Sequence, residues 1–376
     1  MSSRTSSLAL CTAAFIQMVG VGLIVALLPG RLMQLSGSMK HVGYLASAFA
    51  LPFVLFQLPA GHLADRYGFK GFLLAGYAIC ALSGLVYFNS DLVWSLLAGR
   101  VLQGLGEVPI WALGPALLSL LFSKSKGTEI GYYNASIHLG LTAGSILCIW
   151  ACRVWSGKEA FLFFGVCGII GSIMIALFVK NPPKTEGVER GSGYGEVLRA
   201  IGAIRRPAVL AGVSIYGGGY GIFVTAIPGA LLSEKGFSQS EVAVFFSLFY
   251  VALSIAQVVA GKMTDRSGPN RPMYAGLLLV AAGLGAFMAF SGKLVYLLLF
   301  LGSFGLGMFC IASMILLNET VPVSLKGSIS GVFYLLWGAG YFLGPPLFTA
   351  AGEFMGYGAA FLAIAFLVLA ELFLLR

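Results

Sequence analysis

The sequence predicts an all-α integral membrane protein with twelve transmembrane helices arranged as two six-helix repeats. Three observations carry this prediction. First, 59% of the 376 residues are hydrophobic and 10% are charged, against about 45–50% and about 25% in soluble domains. Second, apolar segments of bilayer-spanning length follow one another with short polar connections. Third, motifs of the first half return 200 residues later. This composition excludes soluble, disordered and disulfide-scaffold proteins.

The first six apolar segments lie at residues 8–30, 41–64, 69–89, 92–122, 128–152 and 159–180. Each is long enough to provide the roughly 20 residues of helix that cross a bilayer. The following polar stretch contains Pro182, Pro183 and Lys184, and it predicts a cytoplasmic linker over residues 181–205. Six more segments lie at 206–232, 240–262, 272–291, 293–318, 324–350 and 356–375. We therefore expect an N-terminal six-helix half at 1–180 and a C-terminal half at 206–376.

A duplication relates the two halves. The segment Gly61–Gly68 returns as Gly261–Gly268, and each copy contains an Asp-Arg pair. The pattern Lys-Gly-x3-Gly at residues 126–131 also returns at residues 326–331. Paired repeats of this kind are typical of transporters, in which the substrate site lies near the repeat interface.

Positive charge predicts the orientation. If the N-terminus is cytoplasmic, sixteen Lys and Arg residues lie on the cytoplasmic side and six lie outside, namely Arg31, Lys40, Arg153, Lys158, Lys235 and Lys293. Because cytoplasmic loops carry the excess of Lys and Arg, we expect both termini to be cytoplasmic. The net charge of +9 is spread over short loops beside an anionic leaflet. It therefore does not favour nucleic-acid binding.

Two motifs resemble those of a known transporter family. The segment 61–70 resembles the loop G-x-L-A-D-R-x-G-R/K-R/K of the major facilitator superfamily, with Phe69 as the departure. Arg100-x2-Gln103-Gly104-x-Gly106 resembles a motif of that family's twelve-helix, proton-coupled drug-efflux branch. The fifth segment departs from the exporters of this branch, because Ser145, Cys148 and Ile149 replace Pro and two Gly. The resemblance implies the major facilitator fold and transport, and it implies export less strongly.

The repeated loop provides the gating candidates, which are Gly61, Asp65, Arg66, Gly68, Lys70, Asp265 and Arg266. Asp65 lies where a helix leaves the membrane and is suited to meet the positive end of a neighbouring helix. Arg66 and Lys70 are expected to pair with carboxylates. The alternative is that these charges only set the topology.

The proton-coupling candidates are Glu107, Arg100 and His138. Glu107 and Arg100 lie seven residues apart on the fourth segment, about two turns along one helix face. Charges at membrane depth are costly and usually face a cavity. Our hypothesis is that Glu107 alternates between a proton and either Arg100 or a cationic substrate. The alternative is a static Arg–Glu pair, and His138 is either a proton relay or an interhelical hydrogen-bonding residue.

Polar and aromatic residues at membrane depth provide the substrate-binding candidates: Gln17, Trp111, Asn134, Tyr216, Gln257, Tyr334, Trp337 and Tyr341. Tyr334, Trp337 and Tyr341 share one face of the eleventh segment by their spacing. Such a face suits an apolar or cationic compound through stacking and cation–π contacts. Gln17, Gln57 and Gln257 lie in segments that line or border the cavity in this family. Each of these residues has helix–helix packing as its alternative role.

The glycines at 217–219 and 221 predict a flexible or broken seventh helix rather than a phosphate loop, since no Lys-Ser/Thr follows them. The six cysteines show no metal-ligand spacing, and no catalytic motif is present. We therefore expect no cofactor and no metal.

Together these features predict a monomeric, proton-coupled exporter of an amphipathic or cationic compound in a prokaryotic cytoplasmic membrane. Its partners would be the substrate, protons and the lipid bilayer. Two alternatives are an importer or facilitator of a nutrient, metabolite, siderophore or metal complex, and a non-transporting membrane sensor or lipid-handling protein.

Overall fold

A computed structural model describes residues 3–36, 42–155, 158–181, 194–204 and 207–375. The linker residues 182–193 and several charges used to predict the orientation lie outside these ranges, namely Lys40, Lys184, Arg190, Arg205, Arg206 and Arg376. The described chain is helical throughout, apart from short turns. The first seven helices are α1 (Ser3–Ser36), α2 (Val42–Tyr67), α3 (Phe69–Phe88), α4 (Val93–Leu121), α5 (Lys126–Val154), α6 (Lys158–Phe178) and α7 (Tyr194–Gly202).

The second part of the chain follows the same plan. Its helices are α8 (Ala208–Val224), α9 (Ala226–Ser233), α10 (Gln239–Ser267), α11 (Asn270–Ala286), α12 (Leu294–Glu319), α13 (Lys326–Met355) and α14 (Tyr357–Leu374). Eleven segments of the described ranges are long and apolar enough to cross a bilayer. The 30-residue helix α13 occupies the remaining predicted position. The all-α membrane fold is confirmed, and the predicted count of twelve spanning helices agrees to within one.

The seventh predicted segment is broken, but the break does not fall at its glycines. Gly217, Gly218, Gly219 and Gly221 all lie inside α8, which ends at Val224. Pro228 explains this position, since it has no N–H to donate to the carbonyl four residues earlier. Thr225 has φ −122° and ψ −61° between α8 and α9, and its hydroxyl donates to the Gly221 carbonyl at 2.7 Å. The predicted position of the break is therefore wrong by a few residues.

The chain forms two compact units, each of which contains segments from both parts of the sequence. One unit comprises Met1–Ser123, Ser136–Val197 and Val321–Tyr334, and the other comprises Lys124–Ala135, Leu198–Thr320 and Leu335–Arg376. The boundaries between the units thus fall inside α5 and α13. The first residues of each of these helices belong to the unit built mainly from the other part of the sequence.

Helix packing inside the two units follows one pattern. In the first unit α3 packs on α4 and α6, and α2 packs on α4. In the second unit α11 packs on α12 and α14, and α10 packs on α12. Glycines allow the close approach, because a Cβ on Gly76 would lie 2.7 Å from the Gly106 carbonyl oxygen and one on Gly276 would lie 2.7 Å from that of Gly305. The duplication seen in the sequence is therefore also a duplication of packing.

We predict that Gly217→Ala destabilises the protein while Gly219→Ala does not. A Cβ on Gly217 would overlap the backbone carbonyl of Trp337 on α13, whereas one on Gly219 would lie 3.5 Å from the Leu306 side chain, an ordinary contact. Overpacking of this kind costs about 1–3 kcal/mol, and alanine in an open helical position gains roughly 0.5–1 kcal/mol over glycine. Thermal unfolding of the purified protein in detergent measures both effects. Equal melting temperatures for the two variants would contradict the prediction.

Candidate functional site

A column of four side chains lies along one face of α4. Arg100, Gln103, Glu107 and Trp111 are spaced by three, four and four residues, which places them on one face. Gln103 Nε2 donates to Glu107 Oε1 at 2.8 Å, and Trp111 Nε1 donates to Glu107 Oε2 at 3.1 Å. The Glu107 side chain is 2% exposed. Both oxygens of a buried carboxyl group are thus bonded by neutral donors.

Arg100 does not bond directly to Glu107 among the described contacts. Its Nη1 donates to Gln103 Oε1 at 2.9 Å, its Nε donates to the Leu45 carbonyl at 3.0 Å, and its guanidinium lies 4.7 Å from the centre of the Phe49 ring. The Tyr87 hydroxyl donates to Gln103 Oε1 at 2.7 Å. These two donors orient the Gln103 amide, so that its nitrogen faces Glu107. The static Arg–Glu pair considered from the sequence is therefore not the arrangement seen.

Trp111 connects the carboxyl group to a set of rings, which we call the Trp111 cluster. Its ring centre lies 6.5 Å from that of Phe53, 6.2 Å from that of His138 and 5.9 Å from that of Tyr334, and all three pairs meet edge to face. His138 is 2% exposed. The structure therefore brings four predicted residues together, namely the buried acid Glu107, Trp111 bonded to it, and the rings of His138 and Tyr334 on Trp111.

Asp65 caps the first turn of α13. Its Oδ1 accepts from the Gly327 N–H at 2.7 Å, and its Oδ2 accepts from the Ser328 N–H and hydroxyl, each at 2.7 Å. The carboxylate thus bonds to N–H groups that have no partner within the helix and lies at the positive end of the helix dipole. A Cβ on Gly61 would overlap the Gly327 carbonyl, so glycine at this position is what lets α2 approach α13.

Asp265 makes the equivalent cap in the second unit. Its Oδ1 accepts from the Gly127 N–H at 2.8 Å and its Oδ2 from the Thr128 N–H at 2.7 Å, at the start of α5. Lys126 and Glu319 form an ion pair of 2.7 Å beside it. The sequence prediction that Asp65 meets the positive end of a helix agrees with this geometry, and its gating role remains a prediction.

The basic residues of the loop contact groups other than the carboxylates expected from the sequence. Lys70 Nζ donates to the Ala176 carbonyl at 2.6 Å, and the Arg66 guanidinium lies 5.3 Å from the ring of its neighbour Tyr67. Arg266 is exposed. Among the described residues, the ion pairs involve none of these three side chains. Gly68 and Gly268 have φ of +96° and +78°, values that favour glycine where the chain turns into the next helix.

A second aromatic group lies in the unit that contains α8. Trp337 and Tyr341 stack with ring centres 5.3 Å apart. The ring centre of Tyr220 lies 5.6 Å from that of Trp337, 6.2 Å from that of Tyr341 and 6.4 Å from that of Tyr216. Gln257 and Tyr216 interact with the Cys310 thiol. The expected stripe on α13 is thus divided, because Tyr334 packs with Trp111 while Trp337 and Tyr341 pack with α8.

The remaining amides differ in how they are bonded. Asn134 Nδ2 donates to the Ile130 carbonyl of its own helix at 3.0 Å. Gln17 and Gln57 are 0% exposed, and no hydrogen bond to the oxygen or nitrogen of either side-chain amide is found within the described part of the chain. Buried amides without partners are rare in folded proteins.

Several contributors to the site were not identified as such from the sequence. Gln103 lies between Arg100 and Glu107 at helical spacings of three and four, so its bridging position could have been found. Tyr87 and the Ser328 hydroxyl come from other helices, and no local pattern indicates their contacts. Across the described ranges there is no group of three or more His, Cys, Asp or Glu side chains that could hold a metal ion.

An ion cluster lies between the spanning segments, on the side predicted to be external. Lys158 donates to Asp91 Oδ1 at 3.0 Å, and Arg31 lies 3.3 Å from the same atom. The Lys158 hydrogen bond and charge, followed by Arg31, lower the pKa of the Asp91 carboxyl group. Since the Asp91 carboxyl group is exposed, these two ion pairs contribute little to the stability of the fold.

Comparison with known proteins agrees with the all-helical membrane fold. The model of the Major Facilitator Superfamily matches residues 10–229 and 209–376. The tetracycline resistance protein, class G, of Vibrio anguillarum is 25% identical over 97% of this chain and 96% of its own length. The D-galactonate transporter of Escherichia coli O6:H1 is 23% identical over 86% of this chain and 83% of its own. The crystal structure of the human organic anion transporter MFSD10 (TETRAN) superposes with a TM-score of 0.85 at 19% identity, and 100% of both chains is covered.

We predict that Asp65→Asn destabilises the protein and that Arg66→Gln does not. An asparagine would turn an N–H donor toward the N–H groups of Gly327 or Ser328, and hydrogen bonds to charged groups contribute about 1.5–3 kcal/mol. Arg66 is exposed and makes its described contact with the adjacent Tyr67 ring. The free energy of unfolding in detergent distinguishes the two variants. A destabilisation of equal size in both would show that charge in the loop, rather than the cap, is what matters.

Proposed function

Because the chain belongs to the major facilitator superfamily, a family of membrane transporters rather than enzymes, we propose that it is a secondary active transporter that exports a small amphipathic or cationic compound in exchange for protons. Transport would proceed by alternating access. The observation that carries this proposal is the Glu107 carboxyl group, which is buried and bonded by the neutral donors Gln103 and Trp111.

Because its hydrogen-bond donors are neutral, the negative charge of the Glu107 carboxylate is not already neutralised by a bonded cation. A carboxylate paired with arginine is neutralised already, and releasing it requires breaking a buried ion pair. Here Gln103 separates the two groups, so that a proton or a substrate cation can neutralise Glu107 while the bonds to Arg100 remain. His138 meets the Trp111 ring edge to face and is our candidate for passing the proton on.

The aromatic residues support an amphipathic substrate. The Trp111 cluster adjoins the acid, and rings of this kind bind cations and flat apolar groups. Tyr216, Trp337 and Tyr341 provide a second group of rings. The name of the tetracycline resistance relative adds support for export of such compounds.

The two aspartate caps are our candidates for gating. We propose that the bonds of Asp65 to α13 and of Asp265 to α5 hold the cytoplasmic ends of these helices closed and break when the transporter opens inward. The halves that would move are residues 1–180 and 206–376, joined by the linker 181–205. The transporter would act as a monomer.

A second candidate function is import of an organic anion. Arg100 lies at membrane depth on the same face as Glu107, and the D-galactonate transporter is among the relatives of this chain. In that case Arg100 would bind the substrate carboxylate, and Glu107 would carry the coupled proton. Export of a cation and import of an anion therefore predict opposite substrate charges.

We predict that Glu107→Gln abolishes substrate-driven proton movement. The amide keeps the shape of the side chain, but it neither binds a proton nor attracts a cation. The assay uses proteoliposomes with a trapped pH dye, to which cationic, neutral and anionic compounds are added one class at a time. Glu353→Gln, which changes an exposed carboxyl group of α13, is the matched control and should behave as the unmodified protein.

The compound class that evokes proton flux decides between the two candidates. Cations would support export and anions would support import. Coupled flux that persists in Glu107→Gln would overturn the role of this residue.

We also propose that both termini are cytoplasmic and that the membrane is a prokaryotic cytoplasmic membrane, as the distribution of Lys and Arg indicates. Arg271→Cys and Lys293→Cys place a thiol at exposed positions at opposite ends of α11 and its following turn. We expect a membrane-impermeant maleimide to label only Lys293→Cys in intact cells and both variants after permeabilisation. Labelling of Arg271→Cys alone in intact cells would reverse the orientation.

A further inference from the structure

Gln57 is a buried side-chain amide whose polar atoms have no partner among the described residues. It is 0% exposed, and within the described ranges neither the oxygen nor the nitrogen of its side chain is hydrogen-bonded. Gln103 in the same unit shows the usual arrangement, since its oxygen accepts from Tyr87 and Arg100 and its nitrogen donates to Glu107. An amide that only joined helices would be bonded in the same way. The free donors and acceptor of Gln57 point to a ligand.

Two independent contacts place Gln57 one turn from the Trp111 cluster. Phe53, four residues before Gln57 on α2, lies on the same helix face and contacts the Trp111 ring. On α13, Gly331 lies against the backbone of Gln57, since a Cβ added to Gly331 would overlap the backbone carbonyl of Gln57, and Tyr334, three residues later, contacts Trp111. Gln57 therefore lies one helical turn from the rings on α2, and its backbone packs against α13 one turn from Tyr334.

Glu107 lies on the opposite side of these rings. Helices α2 and α4 are separated by one spanning helix, so they cross the bilayer in the same direction. Gln57 follows Phe53 along α2, whereas Glu107 precedes Trp111 along α4. The order along the two parallel helices is thus an acid, a group of aromatic rings and an amide without a partner among the described residues.

We infer that Gln57 binds a neutral hydrogen-bonding group of the substrate, such as a hydroxyl, carbonyl or amide. The inference rests on the proposed function, because it takes Glu107 as the site of the cationic centre. The substrate class is then narrowed to amphipathic cations with three parts in order: a cationic centre, an apolar body and a neutral polar group. Gln17 is also buried, and its amide has no hydrogen-bonded partner among the described residues, but no described contact places it one turn from the Trp111 cluster.

The test measures equilibrium binding of two probes by calorimetry in detergent. One probe is an alkyltriphenylphosphonium cation, and the other is its ω-hydroxyalkyl homologue of equal chain length. We expect the unmodified protein to bind the hydroxyl probe about threefold to tenfold more tightly, as one additional hydrogen bond provides. In Gln57→Met, which keeps the length of the side chain, both probes should bind with the affinity of the alkyl probe.

Three further variants make the result interpretable. Gln57→Leu repeats the change with a second apolar side chain, and both Gln57 variants should melt at the same or a higher temperature, since an unpaired amide is lost. Asn318→Leu removes a buried amide that donates to the Met314 carbonyl of its own helix, and it should keep the preference. Glu107→Gln should weaken both probes equally.

The outcomes separate the two proposals. A preference for the hydroxyl probe that persists in Gln57→Met and Gln57→Leu overturns the inference about Gln57, while the effect of Glu107→Gln still supports the proposed function. Equal binding of both probes to the unmodified protein also overturns the inference. Failure of the unmodified protein to bind either cation, or unchanged binding in Glu107→Gln, overturns the cationic substrate and with it this role of Gln57.

Discussion

The first N–H groups of a helix have no hydrogen-bond acceptor within that helix, and they lie at its positive end. An aspartate at the end of a neighbouring membrane helix can accept their hydrogen bonds and place its negative charge there. Asp65 and the first turn of α13 form this pair at 2.7 Å. The glycines at 61 and 327 let the two backbones meet. The cap sets how α13 lies along α2. Gly331 comes to lie against Gln57 one turn later, and Tyr334 reaches Trp111 after one more. The composition of the candidate site therefore depends on the cap.

The α4 column places a buried acid among neutral donors. A direct ion pair with Arg100 would neutralise both charges and keep Glu107 ionised, because separating a buried ion pair is costly. With Gln103 between them, each charge is stabilised by the amide, and Glu107 gains a second donor from Trp111. A proton arriving at Glu107 then changes the charge of the site without displacing Arg100. Such an arrangement suits a group that must change its protonation state in each transport cycle.

Periodicity and hydropathy were sufficient for the fold and for part of the site. The apolar segments match the helices because backbone groups in lipid must be bonded within a helix, and the shared face of Arg100 and Glu107 follows from helical geometry. The partners of Lys70 and the hydroxyl of Tyr87 come from distant segments, which local patterns do not reveal. Tyr334, Trp337 and Tyr341 do share a face by spacing, but a helix as long as α13 meets different neighbours at different depths. The break after Val224 was predictable from Pro228 and was instead expected at the glycines.

The two repeats share the aspartate cap but not the α4 column. Both copies of the cap are present, with Asp65 on α13 and Asp265 on α5. The α4 column has no counterpart, since the positions 200 residues later on α12 are Phe300, Ser303, Gly307 and Ile311. If the caps act in gating, as proposed, a contact in each repeat suits closure, because one repeat moves against the other during alternating access. Exchanging a proton needs one acid, and a second buried carboxyl group would add a further desolvation cost. In the proposed mechanism, the symmetry of the caps therefore reflects the demands of movement, and the asymmetry of the acid reflects those of coupling.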